Sequence, residues 1–492
     1  MLLTSIPYFI AFSRAGEGWV FTGFLFGVDD GNSYLAKMLA GAEGAWLFRT
    51  PYSTLPQNGT LIYFYYLLLG KLTAPPEQHL QLVALYHLFR FGAGAAAILA
   101  TCDFIARFIT REPLRRFGAA LAALGGGLGW LLVLAGQDNW LGSLPLDFYS
   151  PETFGFLALY GLPHLAAGRA LLLWGLLAWL DGNGRRAGWL WLAGSIFNPL
   201  IVPAAYAVIG GNFLLTVLRR ADWRARFRPT LLAGLIASPM LLYLLAITMF
   251  DPFMQAWADQ NKITSPHPAH YLVAYGFLLP WAYRGAREFL GRRDPGGWLP
   301  ALWVILLPVL AYLPLNLQRR LPEGMFVALV ILALAPLDRQ PSPLRLRSFA
   351  PFFLLFPSTL IWLAAGFLAS RAPAAPVYIP AAQVDAMLCL REIAAPGDVV
   401  LAAKDHGNII PVFAPVRVVI GHGPETAHFA EIFPRVESFF EGQDPAELRT
   451  LAADFGARFL FGEGSVPAFL AAVEPVCQGG GFWVIDISNI IY

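Results

Sequence analysis

The chain of 492 residues is 57% hydrophobic, 14% aromatic and only 13% charged, with 15 Trp and a net charge of +2. The charged share is about half that of an ordinary globular protein, which excludes a simple water-soluble domain. The net charge says little by itself, because the positive-inside rule reads the arginines of loops rather than totals.

The N-terminus, MLLTSIPYFIAF, has neither a basic flank nor a small-residue cleavage site and is not read as a signal peptide. It is too short to span a bilayer, which takes about 20 residues. A start placed too far downstream would account for an incomplete first span. Next comes the acidic stretch GVDDGNSYLAKMLAGAEGAWLFRTPY, 27–52, within a first outer loop over 13–60. Asp29 and Asp30 are adjacent carboxylates between apolar segments, where charge is costly and usually marks function or a water-filled cavity. The functional reading is a general base, a carboxylate within hydrogen-bond reach of an acceptor hydroxyl taking its proton, or a metal ligand. The competing reading is a helix N-cap, with Asp30 or Ser33 standing before YLAKMLA. Glu43 is read as part of a solvated face.

The run 61–72, LIYFYYLLLGKL, has roughly 12 residues against the 20 or so that a span needs, so it is read as an interfacial helix. Spans are then expected near 79–108, 117–135, 165–180, 189–218, 230–250, 271–290, 299–315, 321–337 and 349–369. With the partial first helix and a break at Asn198-Pro199 the total is about eleven transmembrane helices. On this register the inward loops carry Arg185-Arg186 and the arginines of 219–228, 284–293 and 339–347, as the positive-inside rule requires.

Gln318-Arg319-Arg320 falls in a short outward loop, against that charge bias. Guanidinium forks bind phosphate oxygens bidentately, so Arg319 and Arg320 are candidates for a lipid phosphate; contact with anionic headgroups or with the tail is the alternative. His87 and Arg90, three apart on one helix face, and His164 and Arg169 are ionisable residues in or beside spans. Such residues are functional candidates, with buried hydrogen bonding or snorkelling as the competing account. Arg90 and Arg169 are the reserve candidates for donor phosphate. The connection 137–163, with Asp147 and Glu152, is long enough to cover a site.

From Ala372 the composition changes. APAAPVYIPAA reads as a connector, dividing a membrane domain, 1–370, from a tail, 371–492. In the tail, GDVVLAA, VRVVIGH, RFLFGE and FWVIDIS predict strands, alternating with helices near 382–394, 425–440, 445–455 and 467–473, a small α/β domain. Cys102, Cys389 and Cys477 have no metal spacing; sparse cysteines are most often unpaired core residues, with a Cys389–Cys477 pair the alternative. His267, His270, His406, His422 and His428 match no zinc pattern, so no metal ligand is assigned.

In this order the features resemble the C-type glycosyltransferase superfamily of polytopic membrane enzymes. The resemblance rests on the acidic first loop GVDDGNSYLAKM, a span opening with LYHLFR, a helix interrupted at FNPLIVP, the loop QRRLPEG and an α/β tail with GNIIPVFA and GHGPET. It implies a mainly α, multi-pass protein of the cytoplasmic membrane with an extracytoplasmic tail. It also implies a sugar transferase that uses a polyprenyl-phosphate donor and acts at the outer face. Carried over, the acceptor role of the superfamily's first-loop acidic residue falls on Asp29 or Asp30. The expected reaction is inverting, on an acceptor that is a glycan, a lipid or a protein, among membrane lipids and without nucleic acid. No cofactor is required, and a divalent metal is possible. The rivals are a non-catalytic scaffold and a lipid or solute transporter. A transporter predicts repeated halves with paired broken helices, and only one break, at Asn198-Pro199, is visible.

Overall fold

The computed structural model describes residues 1–16, 18–341 and 345–488, so part of the 339–347 loop lies outside the described residues. The chain groups into two compact units. One holds residues 1–5, 88–246 and 262–365; the other holds 6–87, 247–261 and 366–492. The acidic first loop therefore belongs to the same compact unit as the tail.

The first unit is helical. Its core gathers Trp179, Trp191 and Trp303 with the helix Met325–Asp338, of which twelve residues are buried. That helix is apolar on every side, and a helix without a polar face must be enclosed. The helix Trp223–Phe250 is apolar beyond the arginines of its first turns, yet only 11% of its most hydrophobic window is buried. Leu231, Leu235, Leu242 and Leu245 stand exposed along it. So much bare hydrocarbon is untenable in water and suits a lipid-facing surface. Among the described residues four helices are long and apolar enough to cross a membrane: Gln78–Ala106, Pro163–Leu180, Ile201–Leu218 and Trp223–Phe250. Pro295–Ala311 and Met325–Asp338 are shorter apolar helices.

Several expected spans are broken. The 117–135 span is two helices, Glu112–Leu124 and Gly129–Leu134, because backbone at Gly125–Leu128 leaves the helix. Three consecutive glycines favour that exit, and other segments take up the freed donors: Gly126 N–H donates to the Leu355 carbonyl and Leu128 N–H to that of Val273. The 271–290 span divides into Ala269–Tyr275 and Leu279–Leu290, and 349–369 begins in a 3₁₀ segment before Pro357–Arg371. The break at Asn198-Pro199 falls as expected, between Gly184–Phe197 and Ile201–Leu218. The 137–163 connection is not a bare loop, since it contains the helix Gly155–Gly161 and two 3₁₀ turns.

In the second unit the 61–72 run contains a short helix, Phe64–Gly70, packed on Val28–Ala42. Two glycines allow the contact: a Cβ on Gly41 would lie 2.0 Å from the Leu67 carbonyl oxygen, and one on Gly70 would lie 1.7 Å from that of Met38. The tail is an α/β fold with a five-stranded sheet, in spatial order Arg417–Val418, Val399–Leu401, Ala457–Glu463, Phe482–Asp486 and Cys477–Gly479. The first three run parallel and the last two join antiparallel. The four expected strands are present. Cys477–Gly479 is additional, as is the strand Tyr378–Pro380, which pairs antiparallel with Trp19–Phe21. GNIIPVFA lies in a helix, Lys404–Phe413, and the helix expected over 425–440 is Phe429–Gly442. The 467–473 segment forms only a 3₁₀ turn, Ala468–Leu470.

Cys389 and Cys477 form a disulfide that ties the helix Ala381–Ile393 to the edge strand, so they are not the unpaired residues expected. Cys102 is free.

Candidate active site

Asp29 and Asp30 occupy the first turn of Val28–Ala42. Neither they nor Ser33 cap it, contrary to the N-cap reading. Gly27, in the left-handed region at φ 57°, starts the helix and offers no side-chain cap. Carboxylates in a first turn are still favoured by the positive end of the helix dipole. Side by side in sequence, the two acids meet different partners. Asp29 Oδ2 takes the Lys404 ammonium at 2.7 Å, and Asp30 Oδ1 lies 2.9 Å from His422 Nε2. Their side chains are 50% and 54% exposed, so both remain open to a substrate. Burial alone would lower the Lys404 pKa, but the hydrogen bonds and charges of Asp29 and Asp405 outweigh it and hold the ammonium above its ordinary value.

Behind the acids is a buried polar layer. Glu425 Oε1 accepts from Ser33 Oγ at 2.6 Å and pairs with Lys37 Nζ at 2.5 Å; Oε2 accepts from Thr50 Oγ1 at 2.7 Å. Lys37 also donates to Ser33 Oγ, and its Nζ stands 4.5 Å from the Tyr63 ring centre and 5.2 Å from that of Phe48. Burial pulls the Lys37 pKa down, with Glu425 opposing it. Burial would push the Glu425 carboxyl up, but Lys37 and His422 more than reverse this and hold it below its ordinary value. His422 Nδ1 faces Glu425 Oε1 at 3.5 Å. Asn408 joins the helices: its Nδ2 donates to the Asp29 carbonyl at 3.2 Å, and its Oδ1 accepts from Asn32 at 2.7 Å. Gln260 and Asn261 hold the 424–426 backbone from outside, through the Pro424 and Thr426 carbonyls. The segments after Thr50 and Thr426 then line a cleft of about 300 Å³ between Ser53, Leu55, His428, Glu431 and Arg435.

In the first unit the outer arginines have unequal surroundings. Arg320 Nε pairs with Glu152 at 3.0 Å, with Arg320 40% exposed and Glu152 2%. Arg319 lies with its guanidinium carbon 4.3 Å from the Tyr149 ring centre. Arg169 is buried: Nε pairs with Glu323 at 2.8 Å, and Nη2 donates to the Pro151 and Glu152 carbonyls, both at 2.6 Å. Asn198, freed from the helix by Pro199, donates to Glu323 Oε2 at 3.3 Å. Arg90 is also buried, donating to Thr4, Ser5 and the Leu159 carbonyl. Neither Arg90 nor Arg169 presents an open guanidinium, which leaves Arg320 and Arg319 as the accessible pair.

His87 Nε2 bonds the Gly23 carbonyl at 2.9 Å. His164 is half-buried at the start of Pro163–Leu180. Asp147 is structural: it accepts from Gly127 N–H at 3.1 Å and from Ser358 Oγ, and burial raises its carboxyl pKa. Among the described residues no three His, Cys, Asp or Glu side chains are grouped to hold a metal ion.

Sequence reasoning missed Lys37, Lys404, Glu425 and Glu323, and it considered His422 only as a metal ligand. Lys37 had the clearest signal, an ionisable residue within the apolar run YLAKMLA.

No protein-family model matches the sequence, and no curated protein matches it. Among solved structures, the oligosaccharyltransferase AglB from Archaeoglobus fulgidus, in complex with an inhibitory peptide and a dolichol-phosphate, aligns over 94% of this chain and 69% of its own. The identity is 12% and the TM-score 0.51. The oligosaccharyltransferase of that organism in its apo form aligns over the same shares at 13% identity and a TM-score of 0.52. ArnT from Cupriavidus metallidurans, bound to undecaprenyl phosphate, aligns over 98% of this chain and 97% of its own, at 14% identity and a TM-score of 0.48.

Proposed function

We propose, from the C-type fold of polytopic membrane glycosyltransferases that this chain has, that it moves a sugar from a polyprenyl-phosphate donor to an acceptor at the outer face of the cytoplasmic membrane. The observation that carries the reading is the pair Asp29 and Asp30 on one helical turn, half exposed and each engaged by a cation or imidazole. In an inverting transfer the acceptor heteroatom forms a bond to the anomeric carbon while the bond from that carbon to the phosphate oxygen breaks. The electron pair leaves with the phosphate, and the acceptor proton passes to Asp29 or Asp30 as general base. Phosphate is a stable leaving group whose charge still has to be bound, and Arg320 and Arg319 in the first unit are the candidates for a polyprenyl phosphate. The sugar is a hexose or pentose. The tail disulfide supports an extracytoplasmic tail, because such bonds persist in oxidising compartments.

Binding of a polyprenyl-phosphate sugar, and of bare polyprenyl phosphate, tests the donor reading. Headgroup attraction needs only charge, so Lys would replace Arg; a phosphate fork would be lost on substitution by Lys. Arg320→Lys is expected to weaken binding and Arg320→Ala to weaken it more, by roughly 1.5–3 kcal/mol, a tenfold to hundredfold change. Equal binding by all forms of Arg320 and Arg319 would remove both from the donor site.

Topology has its own test. A reporter fused after Arg226 is expected on the cytoplasmic side, and one fused at Tyr492, outside the described residues, on the external side. Lys71→Cys should label from the outer or interfacial side. Both reporters on one side would break this topology, and cytoplasmic labelling at 71 would reverse the interfacial reading of 61–72.

A further inference from the structure

We propose that Asp30 is the base and that His422, from the tail, is its positioning residue, with Glu425 and Lys37 holding His422 in place; this rests on the transferase reading above. The two acids are nearly equal in exposure but not in company. Asp29 holds the ammonium of Lys404, a long, partly exposed side chain that it shares with Asp405. Asp30 meets the ring of His422, a side chain held inside the fold, with Nε2 2.9 Å from Oδ1. A base orients a proton transfer only as well as it is itself oriented, and a histidine–carboxylate pair backed by a second acid is one way to fix it.

His422 is suited to that role by its surroundings. It is 5% exposed, and its ring packs against Tyr52 with centres 5.8 Å apart. Its carbonyl accepts the N–H groups of Glu425, at 3.0 Å, and of Thr426, at 2.8 Å, so the turn that carries the ring also carries the acid behind it. Glu425 is fixed in turn by Ser33, Thr50 and Lys37, two of which lie on the same helix as Asp30. The helix of the first loop thus supplies both the base and the anchors of the residue that aims it. In the transfer step the acceptor proton ends on the Asp30 carboxylate and the electron pair of the broken bond on the departing phosphate; His422 exchanges nothing and only holds.

Two measurements test this. The first needs no turnover: ¹⁵N resonances of the His422 ring, assigned by their loss in His422→Gln, should move in Asp30→Asn and stay in place in Asp29→Asn. Unmoved resonances in Asp30→Asn, or equal movement in both variants, would overturn the contact. The second uses transfer from polyprenyl-phosphate hexoses. His422→Ala should lower kcat about 10–100-fold with acceptor KM within about twofold. His422→Gln, which keeps an N–H donor, should recover part of the rate. On an Asp30→Asn background His422→Ala should cost nothing more, because the group it aims is gone. Wild-type kcat in His422→Ala, or an equal further loss on that background, would refute the positioning role. An Asp30→Asn form as fast as wild type would instead refute the base, while the resonance experiment would still decide the contact.

Discussion

Replacing Asp30 by Asn is expected to slow sugar transfer roughly 10²–10⁴-fold, the range general-base removal usually costs. The change keeps size and one hydrogen-bond acceptor for His422, so folding should survive, and expression and melting serve as controls. Asp29→Asn should cost much less. It frees Lys404 from its 2.7 Å contact but leaves the Asp30–His422 geometry in place. Transfer rates of purified variants decide between them, and equal, undiminished rates in both would return the two acids to a purely helix-stabilising role.

The second large effect is on stability. Glu425→Ala is expected to destabilise the protein by roughly 3–5 kcal/mol, because Lys37 would be left as an unpaired charge in a buried site. Removing both, as Lys37→Met with Glu425→Leu, should restore most of that loss, since the desolvation penalty goes with the pair. Acid should mimic the single change. The folded Glu425 value lies below the ordinary 4.5, so its contribution is complete above 4.5 and disappears as pH falls through the lower folded value. Melting of the wild type in detergent should therefore decline on that descent more steeply than melting of the double variant. Identical acid profiles would show that this pair does not govern acid stability.

The membrane character and the tail were legible because both rest on composition and short-range pattern. The helix Gln78–Ala106 and the four tail strands follow from mainly apolar runs whose pattern is local. The broken spans were less legible. A Gly-Gly-Gly run tolerates helix and non-helix alike, and what decides at 125–128 is that the distant Leu355 and Val273 carbonyls are there to receive its donors. The Asn198-Pro199 break was readable, but not its use, since Glu323 is 125 residues away. The candidate site shows the same limit. Asp29 and Asp30 stand out by the cost of charge among apolar neighbours, whereas His422, Glu425 and Lys404 lie in the tail, about 380 residues later. No local pattern could have joined them. The cysteines are a similar case, because a separation of 88 residues carries no pairing signal.

The most direct test of the central claim is release of the leaving group. The purified protein in lipid nanodiscs is given polyprenyl-phosphate glucose, mannose, galactose and arabinose in turn, with a cell-envelope extract as acceptor, and free polyprenyl phosphate is measured. The account predicts release from at least one donor, abolished when Asp29 and Asp30 are both replaced by Asn. No release from any donor, or undiminished release by the double variant, would contradict it.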